Sequence, residues 1–211
     1  MKINPEGKPY ILAPAALSAV LGVLGFRKAS VAAALAAAST AYFFRDPERH
    51  PPLNPGLVVS PADGEVIVLK RTFEPRWLKS EAWQIGIFMS VMDVHVNRAP
   101  VSGRLEAIEH RPGSFLRAYE AEAINQNERR YYYIAREDGK RVLVVQVAGA
   151  IARRTVPFVA PGDSFARGDR IGMIRFGSRV EVYLPLQAEP LVAVGHKVRA
   201  GETPLAFLPE E

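Results

Sequence analysis

The stretch RFGSRVEVYLP, which runs from Arg175 to Pro185, decides the fold class of this 211-residue chain. Apolar and polar side chains alternate along it, and Val180, Val182 and Leu184 share one face. This period of two is typical of a β-strand whose two faces meet different surroundings. The Gly177-Ser178 pair directly before the strand has two interpretations. It is either an ordinary turn or bulge, since glycine tolerates unusual backbone angles, or a peptide bond that is meant to be broken.

The sequence around this strand, from residue 57 onward, also predicts β-structure. Valine-rich runs flank Pro61–Gly64, and residues 129–149 are typical of a hairpin with its turn at Glu137–Lys140. Residues 161–174 and 194–207 form a weak repeat, whose hairpin pattern resembles that of lipoyl and biotinyl carrier domains. The modifiable lysine of such carriers, after a methionine or an aspartate, is missing from this region. We therefore predict a mostly β fold, a barrel-like sandwich with lipoyl-like hairpins, and helix only in short pieces such as residues 113–125.

The N-terminal part of the chain has a different character. Two apolar runs without a charge, Tyr10–Phe26 and Ala29–Phe44, are separated by Arg27 and Lys28. Each run is shorter than the roughly 20 residues that a straight membrane-spanning helix needs. We interpret residues 1–45 as a membrane-associated helical hairpin, and the alternative is a pair of buried alanine-rich helices in a soluble core. Residues 46–56 are rich in proline and predict a linker, so that residues 57–211 form a separate β domain.

Composition excludes several kinds of chemistry. The chain has no cysteine, so disulfides, thiolate metal sites and cysteine nucleophiles are ruled out. Its net charge of +5 and its pI of about 9.6 allow an anionic partner, such as a membrane surface or a charged substrate. The basic residues are scattered and form no nucleic-acid-binding motif, which predicts no nucleic-acid partner. No cluster of side chains has the spacing of metal ligands, so we also predict no metal.

Four short motifs follow one another along the chain: SPADG at Ser60–Gly64, MDVHVNRAP at Met92–Pro100, NERR at Asn127–Arg130 and FGSRVEVYLP at Phe176–Pro185. In this order, the motifs resemble those of the phosphatidylserine decarboxylase proenzymes, in the short form found in bacteria and archaea. The resemblance covers nearly the whole chain, including the two apolar runs at the N-terminus. It implies an enzyme that acts on a phospholipid headgroup at a membrane.

The resemblance also favours the second interpretation of the Gly177-Ser178 pair, because members of this family cleave themselves at a Gly-Ser bond. The Ser178 hydroxyl would attack the carbonyl of Gly177, and an ester would replace the amide. Elimination would then give a dehydroalanine, and its hydrolysis would release ammonia and leave a pyruvoyl group in place of Ser178, on an α chain separate from the β chain of residues 1–177. A neutral serine needs an adjacent base for such an attack, and the oxyanion that forms needs fixed hydrogen-bond donors.

His95 is the candidate base. It lies between two valines in an alternating stretch, so its side chain projects opposite to theirs, and a hydrogen-bonded structural histidine is the alternative. Longer family members carry a second histidine where this chain has Arg98. Either His95 therefore serves both self-cleavage and decarboxylation, or another residue such as His110 takes one of the steps. Asp63 matches the aspartate of the family's Asp-Gly motif and would orient the histidine, with Asp93 as a less favoured partner and an ordinary Asp-Gly turn as the alternative.

After self-cleavage, the resemblance implies that the pyruvoyl carbonyl condenses with the amine of phosphatidylserine and accepts the electrons that CO2 leaves behind. His95 is the first candidate to return a proton, which gives phosphatidylethanolamine. Arg98, Arg129 and Arg179 are the candidates for binding the lipid phosphate. We expect a location at the cell membrane, with the catalytic domain on the cytoplasmic side, and an assembly of α and β chains or a dimer of these.

Two alternatives to this function stay open at the level of sequence. The first is the same chemistry on archaetidylserine, an ether lipid, for which the catalytic residues would be identical. The second belongs to another class of protein, a membrane-anchored binding module with lipoyl-like hairpins. Such a module would leave the Gly177-Ser178 bond intact and would have no pyruvoyl group.

Overall fold

The computed structural model describes residues 2–114, 126–149, 154–175 and 178–209. The chain divides into two compact units, Met1–Glu48 and Arg49–Glu211. The described α-helices belong to the first unit and the named strands to the second. The prediction of a mostly β chain that begins with two apolar helices is therefore confirmed.

The first unit is a pair of helices that fold back on each other. Its helical segments are a 3-10 helix at Pro5–Gly7, α1 at Lys8–Val23 and α2 at Arg27–Phe43. The chain reverses at Gly25, whose φ of 84° is readily adopted by glycine but strained for residues with a side chain. Ser18 and Ser30 tie the helices together, because the hydroxyl of each donates a hydrogen bond to the carbonyl of the other at 2.8 Å.

Many large apolar side chains of these two helices are exposed: Tyr10, Leu12, Leu17, Val20, Val23, Val31, Leu35 and Tyr42. The buried residues of α2 include the small Ala33 and Ala37, which allow the helix backbones to approach closely. Among the residues that the structure describes, neither helix combines the length and the apolar character that crossing a membrane requires.

The second unit is built from short strands. In its described part these are β1 Leu57–Val59, β2 Gly64–Glu74, β3 Ser80–Met89, β4 Val96–Arg98, β5 Gly103–Arg111, β6 Arg129–Ala135, β7 Arg141–Ala148, β8 Thr155–Pro157, β9 Ser164–Phe165, β10 Arg170–Ile174, β11 Ser178–Pro185, β12 Glu189–Pro190, β13 Lys197–Val198 and β14 Pro204–Phe207. The hairpin predicted around Glu137–Lys140 is present, since β6 and β7 pair in register across that turn.

The strands pair antiparallel in three sheets. The largest has the order β13-β2-β3-β11-β7-β6-β5-β9, and the other two have the orders β1-β14-β12 and β4-β10-β8. The strand that decided the fold class, β11, thus lies in the middle of the largest sheet, between β3 and β7. As far as the described residues show, the sheets are open, so the barrel-like closure and the lipoyl-like hairpins stay predictions. The helix predicted over residues 113–125 lies almost entirely outside the described residues.

Both faces of β11 are buried. Val180, Val182 and Leu184 pack into the main core, as their alternation predicted. The polar face differs from the usual solvent-facing side of a strand, since Arg179 and Glu181 are no more than 3% exposed. A second apolar cluster, built largely from β6 and β7, lies on this face of the sheet. The alternation of β11 therefore separates two buried layers, because the strand is central to a sheet that is covered on both sides.

Gly64 marks a close approach between the start of β2 and the end of β3. Its φ is 149°, and a Cβ added there would lie 2.0 Å from the carbonyl oxygen of Phe88. Because backbone atoms on both sides would have to move, we expect Gly64→Ala to lower the free energy of unfolding by about 3 kcal/mol or more.

Gly139→Ala is the matched control for this prediction. Gly139 also has a positive φ, 77°, but a Cβ added there would meet no atom within 4 Å. Only the backbone strain remains, which costs about 1 to 2 kcal/mol. Urea unfolding of both variants, in a Ser178→Ala background that keeps the chain in one piece, measures the difference. Equal losses in the two variants would contradict the predicted clash at Gly64.

Candidate active site

Ser178 is the first residue of β11 and is fully buried. It is paired with Met89, the last residue of β3, and with Ala148, the last residue of β7. The Ser178 hydroxyl donates a hydrogen bond to the Sδ atom of Met89 at 3.3 Å. Gly177, the other half of the predicted cleavage site, lies outside the described residues. The predicted nucleophile therefore lies at one end of the central strand, away from bulk water.

His95 lies in the segment between β3 and β4, directly before β4. Its side chain is fully buried. Its carbonyl accepts a hydrogen bond at 3.2 Å from the N–H of Ile174, the last residue of β10. Ile174 precedes Ser178 by four residues in sequence, so this hydrogen bond ties the backbone of His95 to the end of the strand before β11.

The imidazole of His95 has a defined tautomer. Its Nδ1 atom lies 2.9 Å from the backbone carbonyl oxygen of Asp93. A carbonyl oxygen only accepts hydrogen bonds, so the neutral imidazole carries its proton on Nδ1. The lone pair then lies on Nε2, and this is the form of histidine that takes a proton from a hydroxyl.

The loop that carries His95 is held in place by Asp93. The carboxylate of Asp93 accepts hydrogen bonds from the N–H and the hydroxyl of Ser90, both at 2.8 Å. The N–H of Asp93 donates back to the Ser90 carbonyl at 3.0 Å. Asp93, the less favoured partner in the sequence analysis, thus orients His95 through its backbone carbonyl, while its carboxylate closes the loop.

Asp63 lies in the loop before β2, next to β4. The carbonyl of Pro61, two residues earlier, accepts a hydrogen bond from the N–H of Arg98 at 2.9 Å, which joins this loop to β4. The Asp63 carboxylate accepts a hydrogen bond from the N–H of Ala200 at 2.8 Å. It also accepts one from Nη2 of Arg49, whose closest contact with the carboxylate is 2.8 Å. Its described hydrogen bonds are thus with these two residues, and the predicted orientation of His95 by Asp63 stays a prediction.

The charge state of Asp63 reflects two opposing effects. Burial raises the pKa of Asp63 above its ordinary value, and this effect outweighs the lowering by the N–H of Ala200 and by the positive charge of Arg49. Asp93 adds a smaller repulsion that raises the pKa of Asp63 further. The Asp63 carboxylate is therefore easier to protonate than an exposed aspartate.

The three arginines predicted to bind phosphate are not brought together at Ser178. Arg129 and Arg179 are both paired with Val147 of β7, so their side chains share one face of the sheet, and Ser178 projects from the other face. Nε of Arg179 also forms a buried ion pair with Glu181. Arg98 is buried and donates to the Gly168 carbonyl at 2.7 Å. Phosphate binding by these arginines stays a prediction.

His110, the alternative histidine, is remote from Ser178. It lies on β5, and two strands, β7 and β6, separate β5 from β11. Its Nε2 atom is 3.3 Å from a carboxylate oxygen of Glu128, and its side chain is partly exposed. This position does not bring His110 into contact with the predicted cleavage site.

Three buried residues linked to Ser178 by hydrogen bonds, Met89, Asn97 and Gln146, were not predicted from the sequence as site residues. The Sδ atom of Met89 accepts a hydrogen bond from the Ser178 hydroxyl, and Asn97 donates to the same sulfur at 3.7 Å. Gln146 donates to Asn97 at 2.8 Å. The one available signal was the presence of amide side chains inside valine-rich strands, since buried polar groups need partners and are often found at functional sites.

Comparison with known proteins places these features in one family. A model of the family described as phosphatidylserine decarboxylase matches residues 36–206. The phosphatidylserine decarboxylase proenzyme of Syntrophus aciditrophicus is 45% identical over 205 residues, which cover 96% of each chain. The proenzymes of the same name from Desulfotalea psychrophila and Mycobacterium bovis are both 44% identical, over 94% and 97% of this chain and 92% and 89% of theirs. The chain therefore belongs to the phosphatidylserine decarboxylase family.

Proposed function

We propose that this chain is a proenzyme that cleaves itself between Gly177 and Ser178 and then decarboxylates phosphatidylserine to phosphatidylethanolamine. The observation that carries the proposal is the fully buried Ser178 hydroxyl at the start of β11, whose paired neighbour Met89 leads into the segment that carries the buried His95. The names of the relatives favour phosphatidylserine over archaetidylserine as the substrate. A binding module would keep its Gly-Ser bond intact, so the buried hydroxyl of Ser178 would have no chemical role in it.

In the self-cleavage step, Nε2 of His95 takes the proton of the Ser178 hydroxyl as its oxygen attacks the preceding carbonyl. The C–N bond of that peptide breaks, the nitrogen of Ser178 receives the proton, and an ester replaces the amide. Elimination then frees the carboxylate of Gly177, and one water molecule converts the dehydroalanine at residue 178 into the pyruvoyl group and ammonia. Ser178 is shielded from bulk water, which slows hydrolysis of an ester formed there. The negative charge of Asp63, in the loop joined to β4, stabilises the imidazolium that forms on His95. The hydrogen bond from Nδ1 to the Asp93 carbonyl keeps the ring in position throughout this proton transfer.

The surroundings of Ser178 suit the pyruvoyl group that we propose to form from it. Its paired neighbours Met89 and Ala148 are apolar, and the amide of Asn97 adds a hydrogen-bond donor near the Met89 sulfur. When formed, the group supplies an electrophilic carbonyl and an electron sink, which no amino-acid side chain offers. The residues of the chain exclude water around it, and Nε2 of His95 holds the proton that the product carbon receives.

The proposed α chain stays within the fold after cleavage. It contains β11, which pairs with β3 and β7, and also β13 and β14, which pair with β2 and β1 of the proposed β chain. The N–H of Ala200 and the carboxylate of Glu202 add contacts from the α chain to Asp63 and Arg49. The two chains therefore form one interlocked domain.

We also propose that the first unit binds the surface of an anionic membrane, on the cytoplasmic side. The exposed apolar side chains of α1 and α2 support this proposal, because an apolar helical surface enters the boundary between headgroups and acyl chains. Lys8, Arg27 and Lys28 lie at the ends of these helices and would meet anionic lipid headgroups.

A decarboxylation assay on the full chain tests the proposed function. The purified protein is mixed with vesicles that contain phosphatidylserine labelled at the serine carboxyl, and released CO2 and the masses of the protein fragments are measured together. We expect fragments that end at Gly177 and begin with a blocked residue 178, together with CO2 release. An uncleaved chain that releases no CO2 would favour the binding module, and a cleaved chain that leaves phosphatidylserine intact would contradict the substrate.

The raised pKa of Asp63 predicts that protonation of this carboxylate contributes to the acidic limit of self-cleavage, together with protonation of the proposed base His95. The ionised form is lost as the pH falls through that raised pKa, so a step that needs the Asp63 carboxylate fails at a higher pH than with an ordinary aspartate. Arg49→Met removes a cation 2.8 Å from this carboxylate and raises its pKa further. We expect the acidic limb of the cleavage rate to move to higher pH in this variant.

Arg49→Lys is the control for this pH prediction, because it keeps the positive charge near Asp63. Its acidic limb should lie between those of the wild type and Arg49→Met. The cleavage rate constants are measured from the intact masses of samples taken between pH 4 and pH 8. Identical acidic limbs in all three proteins would show that Asp63 is not the group whose protonation stops cleavage.

A further inference from the structure

A chain of three buried polar side chains crosses the core toward Ser178. The hydroxyl of Tyr132 donates to Oε1 of Gln146 at 2.9 Å, and Nε2 of Gln146 donates to Oδ1 of Asn97 at 2.8 Å. All three side chains are fully buried. We call this set of side chains the Tyr132 chain. Polar groups in such a position are costly unless all are satisfied, so their presence in a valine-rich core calls for an explanation.

The hydrogen bonds of the Tyr132 chain run in one direction. The carbonyl of Pro61 only accepts, so the nitrogen of Asn97 faces Pro61 and its oxygen faces Gln146. The nitrogen of Gln146 therefore donates to Asn97, and its oxygen accepts from the hydroxyl of Tyr132. The nitrogen of Asn97 is then turned away from Gln146, and it donates to the carbonyl of Pro61 at 3.3 Å and to Sδ of Met89 at 3.7 Å. The orientation of two amides is thus set by the Pro61 carbonyl at one end, and the Tyr132 hydroxyl at the other end satisfies the oxygen of Gln146.

The fold keeps space open for this arrangement. A Cβ added at Gly172 on β10 would lie 2.5 Å from the hydroxyl oxygen of Tyr132 and 3.0 Å from Nε2 of Gln146. Any residue other than glycine at this position would push into the first hydrogen bond of the chain. The approach of β10 to the Tyr132 chain is therefore part of how the core is built.

The sulfur of Met89 is where the Tyr132 chain meets the predicted nucleophile. Sδ of Met89 accepts a hydrogen bond from the Ser178 hydroxyl at 3.3 Å and another from Asn97. Methionine has a flexible side chain, and a thioether is a weak acceptor that does not remove a proton. A fixed donor from Asn97 holds this sulfur in one place, and the sulfur in turn holds the oxygen of Ser178.

We propose that the Tyr132 chain positions the Ser178 hydroxyl for self-cleavage, by holding Met89 against it. Tyr132, Gln146 and Asn97 are positioning residues in this proposal, because they act on Ser178 through Met89 and do not touch the reacting bond. The inference rests on the proposed self-cleavage and adds to it the residues that fix the geometry of the nucleophile.

A pair of neighbouring tyrosines offers a matched test. Tyr132→Phe removes the hydroxyl that donates to the buried oxygen of Gln146, whereas Tyr133→Phe removes a hydroxyl on the other face of β6 that donates to Glu109 at 2.7 Å. Each full-length precursor is made by cell-free synthesis with phosphatidylserine vesicles present, and its first-order cleavage is followed by intact mass. We expect Tyr132→Phe to cleave roughly tenfold more slowly, the effect of one lost buried hydrogen bond, and Tyr133→Phe to cleave at the wild-type rate.

A second variant tests the direction of the hydrogen bonds by pH. In Gln146→Glu, a protonated carboxyl can accept from Tyr132 and donate to Asn97 as glutamine does, whereas a carboxylate cannot donate. We expect the ratio of its cleavage rate to that of the wild type to rise toward one as the pH falls. Gln146→Met is the control, since it has no titrating group at this position, and its ratio should be low and independent of pH.

These measurements separate positioning from a general loss of stability. Urea unfolding of each variant in the Ser178→Ala background reports its stability independently of cleavage. Equal cleavage rates in Tyr132→Phe and Tyr133→Phe, or rates that follow stability alone, would overturn the positioning role, as would a ratio for Gln146→Glu that does not change with pH. A wild-type chain that does not cleave at all would instead overturn the proposed function.

Discussion

Ser178→Ala should leave the chain as one intact polypeptide with no detectable decarboxylase activity. The substitution removes the hydroxyl that makes the proposed ester, and no other nucleophile takes its place at the start of β11. It also removes the source of the proposed pyruvoyl group, so cleavage and decarboxylation should be lost together. Because the side chain is small and its described hydrogen bond is with the sulfur of Met89, the fold should persist.

The measurement for Ser178→Ala combines intact mass with CO2 release, and Ser178→Thr serves as its control. Threonine keeps a hydroxyl but adds a methyl group at a fully buried position, so we expect slow cleavage and not its absence. A Ser178→Ala chain that still splits before residue 178 would refute the assignment of this serine. Cleavage at a different peptide bond would show that the nucleophile lies elsewhere.

His95→Gln should slow self-cleavage by at least about 100-fold, the lower end of what a positioned general base contributes. Glutamine keeps a polar side chain of similar reach, but its amide does not take a proton from a hydroxyl near neutral pH. The bond from the imidazole to the Asp93 carbonyl already assigns the lone pair to Nε2. The rate constant is measured on the fresh precursor by intact mass, over hours for the wild type and days for the variant.

His110→Gln is the matched control for the histidine, because His110 lies on β5 and contacts Glu128. It should cleave at a rate close to that of the wild type. If His110→Gln cleaved slowly and His95→Gln cleaved at the wild-type rate, the base would be His110 and not His95. Slow cleavage in both variants would indicate that both histidines take part in self-cleavage.

Periodicity predicted the part of this structure that depends on local pattern. The alternation of Val180, Val182 and Leu184 identified a strand with one core face, and the uncharged runs near the N-terminus identified two helices. Both patterns follow from the geometry of a single element, so a sequence is enough to recognise them. The order of strands in the sheet depends on distant pairings, which no local pattern specifies.

The contacts of individual side chains were harder to predict. The sequence presents Arg179 as an available cation, but Glu181, two residues further along the same strand, forms a buried ion pair with it. His95 is held by the backbone of Asp93, and a backbone carbonyl has no sequence signature. Asn97 and Gln146 meet only because β4 and β7 approach each other in the folded core. Each of these facts depends on three-dimensional packing and not on residue type.

The central position of β11 has a consequence for the order of events during synthesis. Ser178 meets the segment of His95 only after β11 has inserted between β3 and β7, two strands that are distant from each other in sequence. Sheets with such non-local pairings form slowly and cooperatively. If the chain matures as we propose, its chemistry acts as a checkpoint. A misfolded copy cannot form the proposed pyruvoyl group. Only correctly folded molecules therefore become active.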